Sequence, residues 1–175
     1  MLALAACAFL AINNFRLRKT VTVLTTQLHS VQIAHGPAVG SHLLRLQGID
    51  LTGKPRIFNF PEQNQPALLF VLAPKCTFCN RMLPVWKHLA EAISPDNVIY
   101  ADVSETIDEA YLDSAGIVAA KNVIMLDQTE QMTHGFRGTP TTLVVDRSGK
   151  ILRSWAGIMD EKQVEDFNRA LLSLN

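Results

Sequence analysis

Seven consecutive apolar residues, 67-ALLFVLA-73, lead through Pro74 and Lys75 into the pair Cys76-x-x-Cys79. A run that long without polar alternation predicts a strand buried on both faces, which requires helices on both sides of its sheet. From Cys76 the period changes. Met82, Trp86, Leu89 and Ile93 stand at i, i+4, i+7 and i+11, one face of a helix, with Pro84 inside it as a kink. The two cysteines therefore sit where a central strand hands over to a helix.

The flanking segments extend the same alternation. The stretch 44-LRLQGIDLTGKPRIFNF-60 predicts a hairpin turning at Thr52-Gly53-Lys54-Pro55. Residues 97–103 and 122–127 predict strands, with a helix over 105–120 between them. A second hairpin over 139–157 turns at Asp146 and Gly149, which supply turn chemistry. The last helix begins at the N-cap Asp160, with Gln163 three residues on, and lines up Val164, Phe167, Leu171 and Leu174. Strands alternating with helices predict an α/β sandwich with a mixed sheet flanked by helices.

Residues 1–35 read differently. The start, MLALAACAFLAI, is apolar, and Arg16, Arg18 and Lys19 follow it. Twelve residues make a helix of about 18 Å against a hydrocarbon core of roughly 30 Å. Two readings stand: a short membrane anchor continued by a stalk, or an apolar helix docked elsewhere. The anchor is preferred because a continuous apolar segment has no polar face to leave in water. Cys7 inside it reads as an apolar filler. The flanking cations would keep the following domain, residues 36–175, in the cytoplasm by the positive-inside tendency.

Sixteen basic and sixteen acidic residues cancel without like-charge blocks, which excludes the footprint of a nucleic-acid binder. Three cysteines are too few for a disulfide framework. Structural zinc wants four ligands, and neither a second cysteine pair nor a histidine knuckle is present. A bridge across two residues closes too small a loop to act as a staple. A reactive dithiol fits the context better. The N–H groups of a helix N-terminus favour negative charge on Cys76, and Lys75 beside it adds to that field. Cys79, one turn inward, is shielded and suits a resolving role.

In combination these residues resemble a thioredoxin-fold thiol–disulfide oxidoreductase. Pro84, five residues after Cys79, matches the kink proline of that family's active-site helix, and Thr139-Pro140 matches the cis-proline loop facing the cysteines. The first hairpin and the inserted helix and strand over 105–127 are similar to the membrane-anchored TlpA/ResA branch, and the apolar start, basic stalk and 36-GPAVG-40 to MauD-like proteins. The resemblance implies exchange with protein thiols or disulfides, with Cys76 as nucleophile and Cys79 resolving. It also implies substrate docking at Thr139 and Pro140, no organic cofactor, and a domain outside the cytoplasmic membrane, in the periplasm. That last implication opposes the charge reading, and the resemblance is given the greater weight. The sequence departs from the family at three places: Lys75 replaces an aromatic residue, and Phe70 and Met82 replace acids. No obvious carboxylate is left to take the proton of Cys79.

Two other chemistries compete. The thiolates could hold Cu(I) as soft ligands, given a third donor. A peroxiredoxin-like reading lacks its threonine, since Phe78 stands four residues after Pro74. Trp86 is read as core, Arg81 as a solvated helix position and His134 as a solvent-facing loop residue.

Overall fold

The computed structural model describes residues 36–63, 65–117 and 120–174. The anchor and stalk expected over residues 1–35 lie outside the described residues. Seven strands form one mixed sheet: β1 (Arg45–Ile49), β2 (Pro55–Asn59), β3 (Ala67–Leu72), β4 (Val98–Asp102), β5 (Val123–Met125), β6 (Thr141–Val145) and β7 (Ile151–Ala156), in the order β2-β1-β5-β4-β3-β6-β7. β3, β4 and β5 run parallel, and β6 is antiparallel to β3. All six residues of β3 are buried, as an unalternating apolar run demands.

The helices are α1 (Phe60–Gln63), α2 (Thr77–Ala90), α3 (Glu109–Ala115), α4 (Gln128–His134) and α5 (Glu161–Leu172). Alternate residues of the central strands feed two cores. On one face Leu68, Phe70 and Leu72 pack with Met82, Trp86 and Leu89 of α2, Leu112 of α3, and Phe167 and Leu171 of α5. On the other face Leu69 and Val71 pack with Leu46, Phe58, Phe60 and Phe136. α5 starts as its sequence requires: Asp160 accepts from Gln163 N and Gln163 Oε1 accepts from Asp160 N, a reciprocal capping box.

Both hairpins turn where expected, and β1 makes a close approach beyond its hairpin. A Cβ at Gly48 would lie 2.1 Å from the Met125 carbonyl oxygen, so β1 reaches β5 only because residue 48 has no side chain.

Three expectations need correction. The helix over 105–120 shrinks to Glu109–Ala115. Asp108 caps its start, while Gly116, at φ 68°, ends it. Residues 104–107 are instead held by the Asp102 carboxylate, which accepts from the N–H groups of Ser104, Thr106 and Ile107. Ile93 lies beyond the end of α2 rather than on its face. α4 was not expected at all, although Asp127 caps it and Gly135 terminates it at φ 71°. His134, expected in a solvent-facing loop, closes that helix and meets the buried Glu130 at 3.0 Å. Glu130 in turn accepts from Gln47 N at 2.8 Å, satisfying a β1 donor.

Candidate active site

Cys76 is the N-cap of α2 rather than its first helical residue, with extended backbone at φ −80° and ψ 110°. In that position its sulfur occupies the place of an N-cap oxygen and accepts the Cys79 N–H at 3.3 Å. As a thiol it also donates to the Thr139 carbonyl at 3.7 Å. The Thr139–Pro140 peptide bond is cis. β6 leaves this bend alongside β3, Val71 facing Thr141, which brings the loop to the end of the strand that delivers the cysteines. The structure thus unites the Cys76–Cys79 pair with Thr139 and Pro140, Thr139 standing 63 positions after Cys76.

The two thiols are treated oppositely. Partial burial raises the Cys76 pKa, but hydrogen bonds from the Cys79 and Thr139 side chains and from the N–H groups of Cys79 and Phe78 outweigh it, and the net direction is down. Burial raises Cys79, and its hydrogen bond to Cys76 adds to this, pushing it up to about 12. A sulfur that keeps its proton donates to one that has lost it. Lys75 is exposed, and its ammonium is not among the groups that act most on Cys76. The helix N-terminus and Thr139 carry that effect.

Behind Cys79 the wall is apolar. Phe70 and Met82, the apolar residues at two of the departures from the family pattern, are fully buried in the same core as Cys79. Phe70 stacks on Trp86 at 4.9 Å, and Trp86 donates its indole N–H to Thr142 Oγ1 at 2.8 Å. Trp86 is core, as expected, but it also ties α2 to the strand of the cis-proline loop. Pro84 lies within α2, which continues past it to Ala90.

Sequence reasoning missed a contact on the β4 flank. Tyr111 O–H of α3 donates to Asn80 Oδ1 at 3.3 Å, and Asn80 Nδ2 donates to the Pro74 carbonyl at 3.4 Å. Burial, then the charges of Cys79, Asp102 and Cys76, push the Tyr111 hydroxyl up to about 12. No spacing in the sequence announces this pairing, because it depends on where the short α3 ends up. Asp102 is fully buried near it, and its two oxygens accept the turn that follows β4. Among the described residues no group of three or more His, Cys, Asp or Glu side chains could hold a metal, and Pro140 offers no donor to the pair.

Comparison with known proteins matches residues 56–171 to a family model described as a thioredoxin-like domain. A curated relative, the methylamine utilization protein MauD of Paracoccus denitrificans, is 30% identical over 81 residues, 46% of this chain and 40% of its own length. The match thus spans well under half of that relative. Among solved structures, a thioredoxin family thiol:disulfide interchange protein from Chlorobium tepidum superposes with a TM-score of 0.57 at 18% identity, covering 77% of this chain and 98% of that one. The thioredoxin domain of a thiol-disulfide oxidoreductase from Bacteroides vulgatus gives 0.54 at 19% identity, covering 79% and 99%. At these identities the structures establish the fold.

Proposed function

The chain belongs to the thioredoxin-like domain family, and from that premise we propose that it is a thiol–disulfide oxidoreductase acting on protein substrates through Cys76 and Cys79. The observation that carries the reading is the Cys76 sulfur at the head of α2. It accepts a backbone N–H from Cys79 and faces the Thr139 carbonyl, while its partner sulfur stays protonated and buried.

The chemistry follows from these positions. The Cys76 thiolate attacks one sulfur of a substrate disulfide, a mixed disulfide forms, and the other substrate sulfur leaves as a thiolate. Cys79 then loses its proton and attacks the Cys76 sulfur. The bond to the substrate breaks, the second substrate thiolate departs, and the Cys76–Cys79 disulfide holds the two electrons' worth of oxidation. Run backwards, the same steps oxidise a substrate dithiol. Thr139 and Pro140 line the approach and dock the substrate backbone. The Cu(I) reading has the two sulfurs and, among the described residues, no third His, Cys, Asp or Glu gathered with them.

We place the domain outside the cytoplasmic membrane, tethered by residues 1–35, because the apolar start has no polar face and exchange with structural disulfides belongs to oxidising compartments. Among the described residues no helix is long and apolar enough to cross a membrane, so the tether rests on the sequence. Alkaline phosphatase fused after residue 35 reports the side: a well-expressed but inactive fusion overturns the placement.

The deciding experiment equilibrates the chain with glutathione and reads the Cys76–Cys79 couple by thiol-alkylation mass shift. A potential near about −270 mV marks a reductant like thioredoxin, and one near about −120 mV an oxidant, as a stabilised Cys76 thiolate favours. Failure to form the internal disulfide at any poise ends the oxidoreductase reading.

A further inference from the structure

The charge around the reactive sulfur is lopsided. Three segments frame Cys76: residues 74–81, the loop 135–142, and residues 155–159, whose Gly157 N–H donates to the Pro140 carbonyl at 2.7 Å. Together they contain Lys75, Arg81 and Arg137 and not one Asp or Glu. All three cations are exposed, and none of them takes part in the ion pairs of the described residues. Of the other lysines and arginines, Lys121 pairs with Asp96, and Arg153 and Arg169 with Asp166.

The sheet order places these charges around the site. β3, which delivers Cys76, lies between β4 and β6. The acids Asp108 and Glu109 begin α3, which follows β4, whereas Arg137 precedes β6 and lies two residues before Thr139. Arg137 therefore lies on the cis-proline flank and Asp108 and Glu109 on the β4 flank, while the exposed Asp160 and Glu161 follow directly on residues 155–159. The framing segments also offer apolar contact. Phe78, between the cysteines, is 56% exposed, and Ile158 is 38% exposed with its carbonyl accepting from Trp155 Nε1. Arg81 stands at i+3 from Phe78, one turn below it on the same side of α2.

We infer that the partner presents its reactive cysteine in an acidic segment with an apolar neighbour: carboxylates meet Lys75, Arg81 and Arg137 while the apolar side chain covers Phe78 and Ile158. This rests on the dithiol reading above and adds a substrate class to it. Charge of one sign around a cleft raises encounter rates with the opposite sign, and exposed cations do so in a salt-dependent way.

The test uses the reduced full chain and three disulfide peptides identical except for Asp, Ala or Lys beside the cysteine. Each exchange rate is divided by the rate of the same peptide with dithiothreitol, which removes differences in intrinsic reactivity. The expected order is Asp, Ala, Lys, with the Asp-to-Lys ratio about tenfold or more at low ionic strength and falling toward one in 1 M salt. Arg137→Gln combined with Arg81→Gln should bring that ratio down at least threefold. Equal rates, a reversed order, or a ratio indifferent to salt and to both substitutions overturn the acidic-partner inference and leave the dithiol reading standing. If none of the peptides exchanges, the dithiol reading itself fails, and this inference goes with it.

Discussion

At the mouth of the site Cys76 is partly exposed and caps a helix. One turn inward, Cys79 is fully buried in a core it shares with Phe70, Met82 and Trp86. The side chains are identical, so the difference between them is environmental. Backbone donors and a helix N-terminus lower the first thiol, and exclusion from water raises the second. On the proposed reading, burial divides nucleophile from resolving thiol, and the inner one keeps a proton in a wall lined by Phe70 and Met82. The outer step should be fast and the inner step slow.

That contrast breaks most visibly in labelling. Cys79, pushed up to about 12, keeps its proton at neutral pH, whereas the Cys76 pKa is lowered. Brief alkylation of the reduced chain followed by peptide mass spectrometry should modify Cys76 alone. The half-maximal rate should fall below the ordinary thiol value of 9.0. The sign for stability follows from Cys79. Its raised pKa favours the protonated fold, so the contribution is complete below pH 9.0 and is lost as pH rises toward about 12. Equal labelling of both cysteines near neutrality would erase the contrast.

Removing either sulfur tests the division of labour. Cys79→Ser should still capture a substrate, and the mixed disulfide should persist on a non-reducing gel. Cys76→Ser should capture none. Capture by Cys76→Ser would show that Cys79 is open to attack and that the wall is not closed.

A smaller effect sharpens the account of the inner step. Met82→Glu places a carboxyl in the fully buried wall beside Cys79. A positioned base contributes about 10²–10⁴-fold, so release of the trapped substrate should accelerate by a part of that range while Cys76 alkylation hardly changes. The variant should also lose stability, because an unpaired charge in an apolar wall is costly and the Met82 Sδ contact with Met159 N is lost. An unchanged release rate in a folded variant would mean that proton removal does not limit the inner step.

Much of this layout is legible in the sequence because it is local. The unalternating run of β3, the helical period after Cys76, the turn residues of both hairpins and the Asp160–Gln163 box all act within a few positions. The pairing of Cys76 with Thr139 is not local, and it was reached through resemblance to a family. What stayed hidden was tertiary. Asp102 absorbs residues 104–107 into a turn and shortens α3. The seven-residue α4 carries a cap and a glycine stop but buries only Glu130, so it shows too little apolar period to stand out. The place of Lys75 differs for a similar reason: adjacency in sequence did not make it a main influence on the sulfur.

The smallest expected effect on the thiols comes from the opposite end of the sheet. Gly48 lies on β1, separated from β3 by β5 and β4, and a methyl there would meet the Met125 carbonyl oxygen at 2.1 Å. Gly48→Ala must push β1 away from β5 and should cost at least the about 1–3 kcal/mol of an overpacked interior, read as a lowered urea midpoint. The environment that sets the thiols is built from α2, β3, β6 and the cis-proline loop, none of which the methyl touches. The pH profile of Cys76 alkylation in the folded variant should therefore overlay that of the parent chain. If it shifts instead, the hairpin and the active-site helix respond as one unit, and the difference between the two cysteines owes something to the whole sheet rather than to the turn of helix that separates them.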